Sequence, residues 1–237
     1  MRISQADTKL PDNLPSVSAI ICTLNEEGSL PATLTRILPF VSEVILIDGN
    51  SSDRTVEVAR ELRPDLRVYL QRGRGKGDAL RLGFAQAKGE FIVTLDADGA
   101  TDPAEMWRFV SPLLAGWDLV KGSRFHDGDP HGMAKHRIFG NWLLATIGNV
   151  LYSVSFSDMC SGYLGVTRSA LDQLNWESLG PYDYEVVLIC RAIRRGLRVK
   201  EVGHVDSGRD AGQSKMASWH TGWNQMKTIL RERFRRR

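Results

Sequence analysis

The chain has 237 residues, is 42% hydrophobic and 25% charged, and carries a formal net charge of +3, a composition typical of a soluble globular protein. Its three cysteines, Cys22, Cys160 and Cys190, are widely spaced, which excludes a disulfide framework and a paired-cysteine metal site and favours a reducing compartment. The longest apolar run, residues 138–156, is interrupted by Asn and Thr, so we expect a partly buried or membrane-dipping helix rather than a span.

The pattern along the chain predicts an α/β fold. Residues 1–16 are polar and contain no apolar core segment, so we expect a loose leader and no signal peptide. Short β-branched strands then alternate with helices, as in parallel sheets with crossover helices. The strands are expected at 17–23, 44–48, 67–70, 91–96, 119–121 and 199–205. The helices are expected at about 28–39, 52–63, 77–88, 103–115, 134–156 and 183–195, with a last one from about 216.

The most informative segment is Asp96-Ala97-Asp98-Gly99, at the end of an apolar strand. Two carboxylates so close repel each other unless a cation lies between them or one of them stays protonated. Oxygen ligands in an incomplete set suit Mg²⁺ or Mn²⁺, which keep positions for water and for substrate phosphates. Asp96 and Asp98 therefore predict a metal–diphosphate site, although the same four residues are also good turn residues.

Polar residues follow two earlier strands as well, in the segments 23–26 (Thr-Leu-Asn-Glu) and 48–50 (Asp-Gly-Asn). Ligands of open α/β sheets bind at the carboxyl ends of the strands, so we expect these segments to line the same crevice as Asp96. The segment 73–77 contains three glycines and two cations before a helix, which suits an anion. A solvated turn would have the same composition.

Further cations in the second half could supply charge for a diphosphate. Arg124 follows a strand and Arg137 begins a helix. Arg209 and Lys215 flank Gly212 in a polar loop, where both could close over a phosphate, the arginine through its planar fork. A charged surface loop is the alternative interpretation of this segment.

Asp158 and Glu185 are the remaining acidic candidates. Asp158 precedes Ser161-Gly162-Tyr163, and Glu185 stands at the start of an apolar helix, where it could also serve only the helix dipole. The five histidines show no spacing typical of metal ligands, and we assign no role to them.

In order along the chain, these segments resemble the family 2 inverting glycosyltransferases of the GT-A fold. Within that family they are most similar to the dolichyl-phosphate and polyprenyl-phosphate sugar synthases, such as the dolichyl-phosphate mannosyltransferases. The resemblance runs from about residue 17 to 216. It rests on seven motifs: Cys22-Thr23-Leu24-Asn25-Glu26, Asp48-Gly49-Asn50-Ser51-Ser52-Asp53-Arg54-Thr55, Asp96-Ala97-Asp98, Gly122-Ser123-Arg124-Phe125, Arg137 with Asn141, Asp158-x-x-Ser161-Gly162-Tyr163, and Arg209-x-x-Gly212-x-Ser214-Lys215.

The resemblance implies a Rossmann-like, mostly parallel sheet flanked by helices, in a catalytic domain over 17–215. It also implies metal-dependent, inverting transfer of a sugar from a nucleotide diphosphate sugar (GDP-mannose or UDP-glucose type) to a polyprenyl or dolichyl phosphate. Mg²⁺ or Mn²⁺ would bind Asp96 and Asp98. The donor and acceptor would contact Thr23, Asn25, Glu26, Asp48, Lys76, Asp96, Ala97, Asp98, Arg124, Arg137, Arg209 and Lys215. The catalytic residues would be Asp98, Asp158, Glu185 and Arg209.

The identity of the acceptor decides whether a base is needed. A phosphate is already an anion near neutral pH and needs no strong general base. A sugar hydroxyl would need one, and Asp158 or Glu185 would serve. The alternatives to a lipid phosphate acceptor are a soluble acceptor for the same chemistry, nucleotidyl transfer on a similar sheet, and a non-catalytic membrane-associated module that binds nucleotide sugars.

Three positions depart from the family pattern. Gly49 replaces the second Asp of the nucleotide segment, Leu24 replaces an aromatic residue, and Ala100 has no side-chain ligand where some members have Gln. The nucleotide base therefore cannot be inferred from the resemblance. The family's usual C-terminal transmembrane helices are also missing, so we expect membrane contact by another route.

The last segment, 216–237, predicts a basic amphipathic helix. Trp219, Trp223, Met226, Leu230 and Phe234 recur at helical spacing. The other positions carry the cations Lys227, Arg231, Arg233, Arg235, Arg236 and Arg237. Tryptophan with arginine is typical of interfacial helices, so we expect peripheral binding to the cytoplasmic face of a membrane. Docking on the protein's own core or on a membrane-protein partner is the alternative, and we expect no specific nucleic acid.

Overall fold

The structure is a computed structural model that describes residues 13–126, 133–206 and 218–235, with the backbone alone for 218–220. Its strands are β1 (Val17–Thr23), β2 (Glu43–Asp48), β3 (Arg67–Leu70), β4 (Phe91–Asp96), β5 (Leu119–Ser123), β6 (Leu164–Thr167) and β7 (Val199–Gly203). They form one sheet in the order β3-β2-β1-β4-β6-β5-β7. The predicted α/β class, with a mostly parallel sheet flanked by helices, is confirmed.

The helices are α1 (Leu30–Thr35), α2 (Thr55–Leu62), α3 (Lys76–Gln86), α4 (Trp107–Leu114), α5 (Lys135–Tyr152), α6 (Arg168–Leu171), α7 (Tyr184–Arg194) and α8 (Ser218–Phe234). Most lie within the predicted ranges and are shorter than predicted. The predicted helix at 103–115 is divided into a 3-10 turn at Pro103–Glu105 and α4. The Asp102 side chain caps that turn by accepting a hydrogen bond from the Ala104 amide at 2.9 Å.

β6, which runs antiparallel to both β4 and β5, was not predicted. Its four residues, Leu-Gly-Val-Thr, contain a glycine that interrupts the apolar pattern, whereas β3, which is equally short, has none. Gly165 lies close to α4, since a Cβ at this position would lie 3.2 Å from the Cβ of Phe109. β6 therefore separates the parallel half of the sheet from the β5–β7 pair.

The register of the central strands fixes where the functional side chains lie. β1 pairs in parallel with β2 and with β4, so Thr23 is opposite Asp48 and Cys22 is opposite Asp96. The middle of each strand is buried on both faces, as in other parallel sheets covered by helices. The three strands therefore end together, and their polar ends meet at one edge of the sheet.

The last helix packs against the body of the protein through a face other than its predicted apolar stripe. Gln225, Thr228, Ile229 and Glu232 are buried. Of the predicted stripe, Met226 is half-buried against the core, whereas Trp223, Leu230 and Phe234 are exposed. The Trp219 side chain lies outside the described residues. α8 is therefore a docked helix that leaves apolar side chains on its outer surface.

A buried ion pair joins α8 to α7. The Arg191 Nε and Nη2 atoms donate to the two carboxylate oxygens of Glu232 at 3.1 and 3.2 Å. The Glu232 side chain is fully buried. The Arg191 Nη1 atom donates to the carbonyl oxygens of Leu174 and Asn175.

In the part of the chain that the structure describes, no helix has both the length and the apolar character needed to cross a bilayer.

We expect Glu232→Ala to lower the free energy of unfolding by about 3 kcal/mol, because Arg191 would keep a buried charge without its carboxylate. Urea denaturation followed by circular dichroism measures the change. The control is Glu61→Ala, which breaks the exposed pair with Arg54 and should cost less than about 1 kcal/mol. Equal stability of Glu232→Ala and the unchanged protein would show that α8 is not held in this way.

Candidate functional site

A cavity of about 1530 Å³ opens at the carboxyl edge of β1, β2 and β4. It begins at the strand ends, passes the start of α3 and the start of α7, and reaches α8. Most of the predicted site residues lie on its wall. They are Thr23, Glu26, Lys76, Asp96, Ala97, Asp98, Arg124, Arg137 and Glu185.

The two carboxylates of the Asp-x-Asp segment project from the end of β4. Asp96 is the last residue of the strand, and Asp98 is 8% exposed. The Ala100 amide donates to the Asp98 carboxylate at 3.2 Å, which holds the turn. No cluster of three acidic, histidine or cysteine side chains suited to a metal occurs among the described residues. The two aspartates therefore form an incomplete oxygen set, which fits Mg²⁺ or Mn²⁺ with further ligands from phosphate and water.

Lys76, the first residue of α3, pairs with one carboxylate oxygen of Asp96. Its ammonium also lies 5.2 Å from the centre of the Tyr184 ring. Burial acts to lower the pKa of Lys76, but the negative charges of Asp96 and Glu185 raise that pKa above its ordinary value. The lysine is therefore a charged group at the centre of the cavity.

Glu185 lies on the opposite wall, in the first turn of α7. It is 7% exposed, and burial raises the pKa of its carboxyl to about 7, although the Lys76 charge acts in the other direction. A carboxyl with a pKa near neutrality can exchange a proton with a bound ligand at physiological pH.

The loops that follow β1 and β2 are fastened to each other at the nucleotide end of the predicted site. Both carboxylate oxygens of the buried Asp48 accept hydrogen bonds from Ser51, one from its amide and one from its hydroxyl. The Asn25 side chain accepts from the Ser52 amide at 2.7 Å. Asp48 and Asn25 thus hold the two loops together behind the wall. The buried Thr23 hydroxyl, which lines the cavity, has no hydrogen-bond partner among the described residues.

The Glu26 side chain contacts the N-cap of α1, the helix that follows it. Its carboxylate accepts from the Ser29 hydroxyl at 2.7 Å, and its amide donates to the Thr55 hydroxyl at 2.9 Å. These contacts fix the chain where it leaves β1.

Arg124, on the cavity wall, forms a bidentate ion pair with Asp158. The Arg124 Nε and Nη2 atoms donate to the two Asp158 oxygens at 2.7 and 3.0 Å. Asp158 is fully buried. Burial acts to raise the pKa of Asp158, but the Arg124 charge and hydrogen bonds hold that pKa below its usual range. Asp158 therefore orients the arginine and stays ionised.

A second buried ion pair supports the first. Lys121, which is fully buried, donates to the Glu201 carboxylate. The same carboxylate accepts from the amides of Ser157 and Asp158, so it holds the turn that carries Asp158. None of these supporting contacts was predicted from the sequence, since each joins residues more than 30 positions apart.

Two of the predicted phosphate ligands fall outside the described residues. Arg209 and Lys215 lie in the segment 207–217, so their proposed role stays a prediction. Arg137 is exposed at the start of α5 and lines the cavity mouth.

The wall that α8 contributes was not predicted. It is formed by polar and charged side chains at helical spacing: Thr221, Asn224, Thr228, Arg231 and Arg235. These polar residues recur at helical spacing in the sequence, but the prediction for this helix rested on the apolar stripe of another face. His204 was also missed; it is buried on the cavity wall, with its Nε2 2.8 Å from the Ser161 hydroxyl.

Two curated relatives are informative. The low-salt glycan biosynthesis hexosyltransferase Agl6 of Haloferax volcanii is 29% identical over 92% of this chain and 54% of its own length. The polyprenol monophosphomannose synthase of Mycolicibacterium smegmatis is 31% identical over 84% of this chain and 80% of its own length. The chain spans about half the length of Agl6 and of the Haloferax glycosyltransferase AglJ.

A solved structure with the same fold is the glucosyl-3-phosphoglycerate synthase of Mycobacterium tuberculosis in complex with Mn²⁺, UDP and glucosyl-3-phosphoglycerate. It superposes with a TM-score of 0.75 over 92% of this chain and 80% of that chain, at 24% identity. This likeness establishes the shared architecture and confirms the predicted GT-A fold.

The sequence profile of Glycosyl transferase family 2 matches residues 18–175. This range includes β1 to β6 and the Asp-x-Asp segment, and it confirms the resemblance drawn from the motifs. The chain belongs to glycosyl transferase family 2.

Proposed function

We propose that this protein transfers a sugar from a nucleotide diphosphate sugar to a polyprenyl phosphate, with Mg²⁺ or Mn²⁺ bound by Asp96 and Asp98. The observation that carries the proposal is the composition of the cavity wall. Two carboxylates in an incomplete set stand beside Lys76, Arg124 and Arg137 in one space. That combination suits a metal-bound diphosphate together with a second anion.

The donor would occupy the end of the cavity near β1 and β2. Thr23, Glu26 and Gly49 line it there, and Ala97 lies between the two metal-binding carboxylates. When bound, the metal would stabilise the charge of the leaving diphosphate as a Lewis acid. The presence of Mn²⁺ and UDP in the structurally similar synthase supports a divalent ion at this position.

The acceptor phosphate would bind on the side of Arg124. Asp158 fixes the guanidinium in one orientation, and a planar fork so held can bind two phosphate oxygens. Arg137 at the cavity mouth, and Arg209 and Lys215 by prediction, would add charge. A relative named for polyprenol monophosphomannose synthesis supports this choice of acceptor.

A soluble acceptor with a hydroxyl nucleophile is the second candidate, and Glu185 is the observation that favours it. Asp158 is a poor base because Arg124 occupies both of its oxygens and keeps its pKa low. Glu185 has a pKa of about 7 and lines the cavity, so it is the better base for a hydroxyl. A phosphate acceptor would not need it.

The outer surface formed by α5 and α8 would rest on the membrane that holds the lipid acceptor. Phe139 and Trp142 on α5 are exposed, with ring centres 5.8 Å apart. Trp223, Leu230 and Phe234 are exposed on α8. Two further cations of α8 are exposed: Lys227, whose ammonium lies 5.4 Å from the centre of the Trp223 ring, and Arg233. Apolar side chains among cations fit an anionic membrane surface, peripherally and on its cytoplasmic side.

We expect Asp98→Asn to lower kcat/KM about a thousandfold, and Asp96→Asn to be severely impaired, because the charge of the leaving diphosphate would lose its metal. GDP-, UDP- and dTDP-sugars are offered with a short polyprenyl phosphate, and the product is identified by mass spectrometry. Asp65→Asn removes an exposed carboxylate as the matched control. A near-normal rate for Asp98→Asn at saturating metal would refute the assignment.

Glu185→Gln separates the two acceptor classes. With a polyprenyl phosphate we expect a loss in kcat below about tenfold, whereas a hydroxyl acceptor would lose roughly 10²- to 10⁴-fold without its base. Both acceptors are assayed with the same donor, and Glu177→Gln serves as the control in the exposed segment before α7. A loss above a hundredfold with the lipid phosphate would contradict direct attack by the phosphate.

The membrane surface is tested by flotation with anionic and neutral liposomes. We expect the triple change Trp223→Ser, Leu230→Ser and Phe234→Ser to weaken partition to anionic liposomes by at least about tenfold, since it removes the apolar contacts. The control is Leu62→Ser with Leu70→Ser, which changes exposed apolar residues elsewhere. If the triple variant floats as well as the unchanged protein, or neither floats at low salt, the surface does not bind membrane.

A further inference from the structure

Asp96 is already paired with a cation of the protein itself. The Lys76 ammonium contacts one of its oxygens, and the two side chains are 22% and 31% exposed. One of the two carboxylates proposed to hold the metal is therefore neutralised by a side chain of the protein.

The segment that precedes α7 fixes the position of Lys76. The Gly77 amide donates to the Pro181 carbonyl oxygen at 3.0 Å, which joins the start of α3 to the segment leading to Glu185. A Cβ on Gly77 would lie 1.8 Å from the Gly180 carbonyl oxygen, so this close approach requires glycine. The ammonium is thus held between Asp96 on one wall and Tyr184 with Glu185 on the other.

The backbone of Gly162 lies against the ion pair of Lys76 and Asp96. A Cβ on Gly162 would lie 2.7 Å from the Lys76 ammonium and 2.9 Å from the second Asp96 oxygen. The Gly162 carbonyl oxygen accepts from the Thr94 hydroxyl of β4 at 3.2 Å, which fixes that backbone. The ion pair is therefore closely packed between the end of β4 and the Gly162 backbone.

We propose that Lys76 is a resident counter-cation, which neutralises Asp96 while the cavity is empty and releases it when a nucleotide diphosphate arrives. The inference rests on the proposed function of the site. A diphosphate competes with Asp96 for the ammonium because it brings more negative charge into the same space. Once Lys76 contacts the diphosphate, Asp96 becomes available beside Asp98.

Metal binding and donor binding are then coupled in two ways: through Lys76 and through direct contact between the metal and the diphosphate. The metal alone meets a carboxylate, Asp96, that is already paired with an ammonium, so it binds weakly. The metal with nucleotide meets two carboxylates and the phosphate oxygens. Because coupling between two ligands is reciprocal, metal also strengthens nucleotide binding.

The test measures Mn²⁺ binding without turnover. Free Mn²⁺ is titrated by electron paramagnetic resonance against the full chain, alone and with UDP or GDP. Lys76→Met should bind Mn²⁺ alone about tenfold more tightly than the unchanged protein, within the usual range of coupling between sites. The gain produced by the nucleotide should fall accordingly.

Two comparisons isolate the ion pair. Arg74→Met removes the same charge two residues away, from a side chain that is exposed at the cavity wall, and should change Mn²⁺ affinity less than about threefold. In the Asp96→Asn background, Lys76→Met should have almost no effect, since a double-mutant cycle reports only the shared interaction. Thermal unfolding confirms that each variant is folded.

A second measurement does not depend on removing the lysine. Acylation of Lys76 by an amine-reactive reagent, followed by mass spectrometry, should be slow in the empty protein relative to the exposed Lys88, and Asp96→Asn should accelerate it.

The proposal is overturned if Lys76→Met leaves Mn²⁺ affinity unchanged, if Arg74→Met raises it equally, or if Asp96→Asn leaves Lys76 acylation unchanged. Absence of Mn²⁺ binding in every protein, even with UDP or GDP, would overturn the proposed metal site as well.

Discussion

Like-charge repulsion at one edge of the sheet is the constraint on which the rest of the site depends. The parallel register of β1, β2 and β4 brings Asp96 and the buried Asp48 to that edge, and α7 adds Glu185 from the other wall. Acids so close must be bonded, neutralised or protonated. Asp48 is bonded by Ser51, Asp96 is paired with Lys76, and Glu185 has a raised pKa. The three acids therefore differ chemically: one is a hydrogen-bonded carboxylate, one is an ion-paired carboxylate, and one is a carboxyl that can exchange a proton near pH 7.

The part of the cavity at Arg124 meets the same constraint with a row of alternating charges. Arg124 binds Asp158, the turn at Asp158 is held by Glu201, and Glu201 is paired with Lys121. The row runs from the cavity into the buried junction of β5 and β7, where a single unpaired charge would be costly. Its outermost member is the guanidinium, which is therefore stiff at the point where a phosphate would bind.

Local features of the sequence were sufficient for the parallel half of the fold and for the family. Apolar runs that end in polar residues located β1, β2 and β4, and Asp96 and Asp98 were found by their spacing. The ion pairs could not be predicted, because each joins residues from distant segments and the sequence does not show which charges pair. They are Lys76 with Asp96 and Arg124 with Asp158. β6 was missed because Gly165 interrupts its apolar pattern. The role of Asp158 followed only from geometry, since a carboxylate held by two arginine nitrogens differs from a free one.

α8 connects the two surfaces that the proposed lipid substrate would require. Its inner side lines the cavity, where the Thr228 hydroxyl and Arg231 donate to Asp183 at 2.7 and 3.1 Å, immediately before Tyr184 and Glu185. Its outer side presents Trp223 and Phe234 to the surroundings. A lipid phosphate has an apolar chain and an anionic head, so it needs an apolar surface and a cationic cavity within one molecule's length. A single helix with different faces provides both, and the buried pair of Glu232 with Arg191 keeps those faces in register with the site.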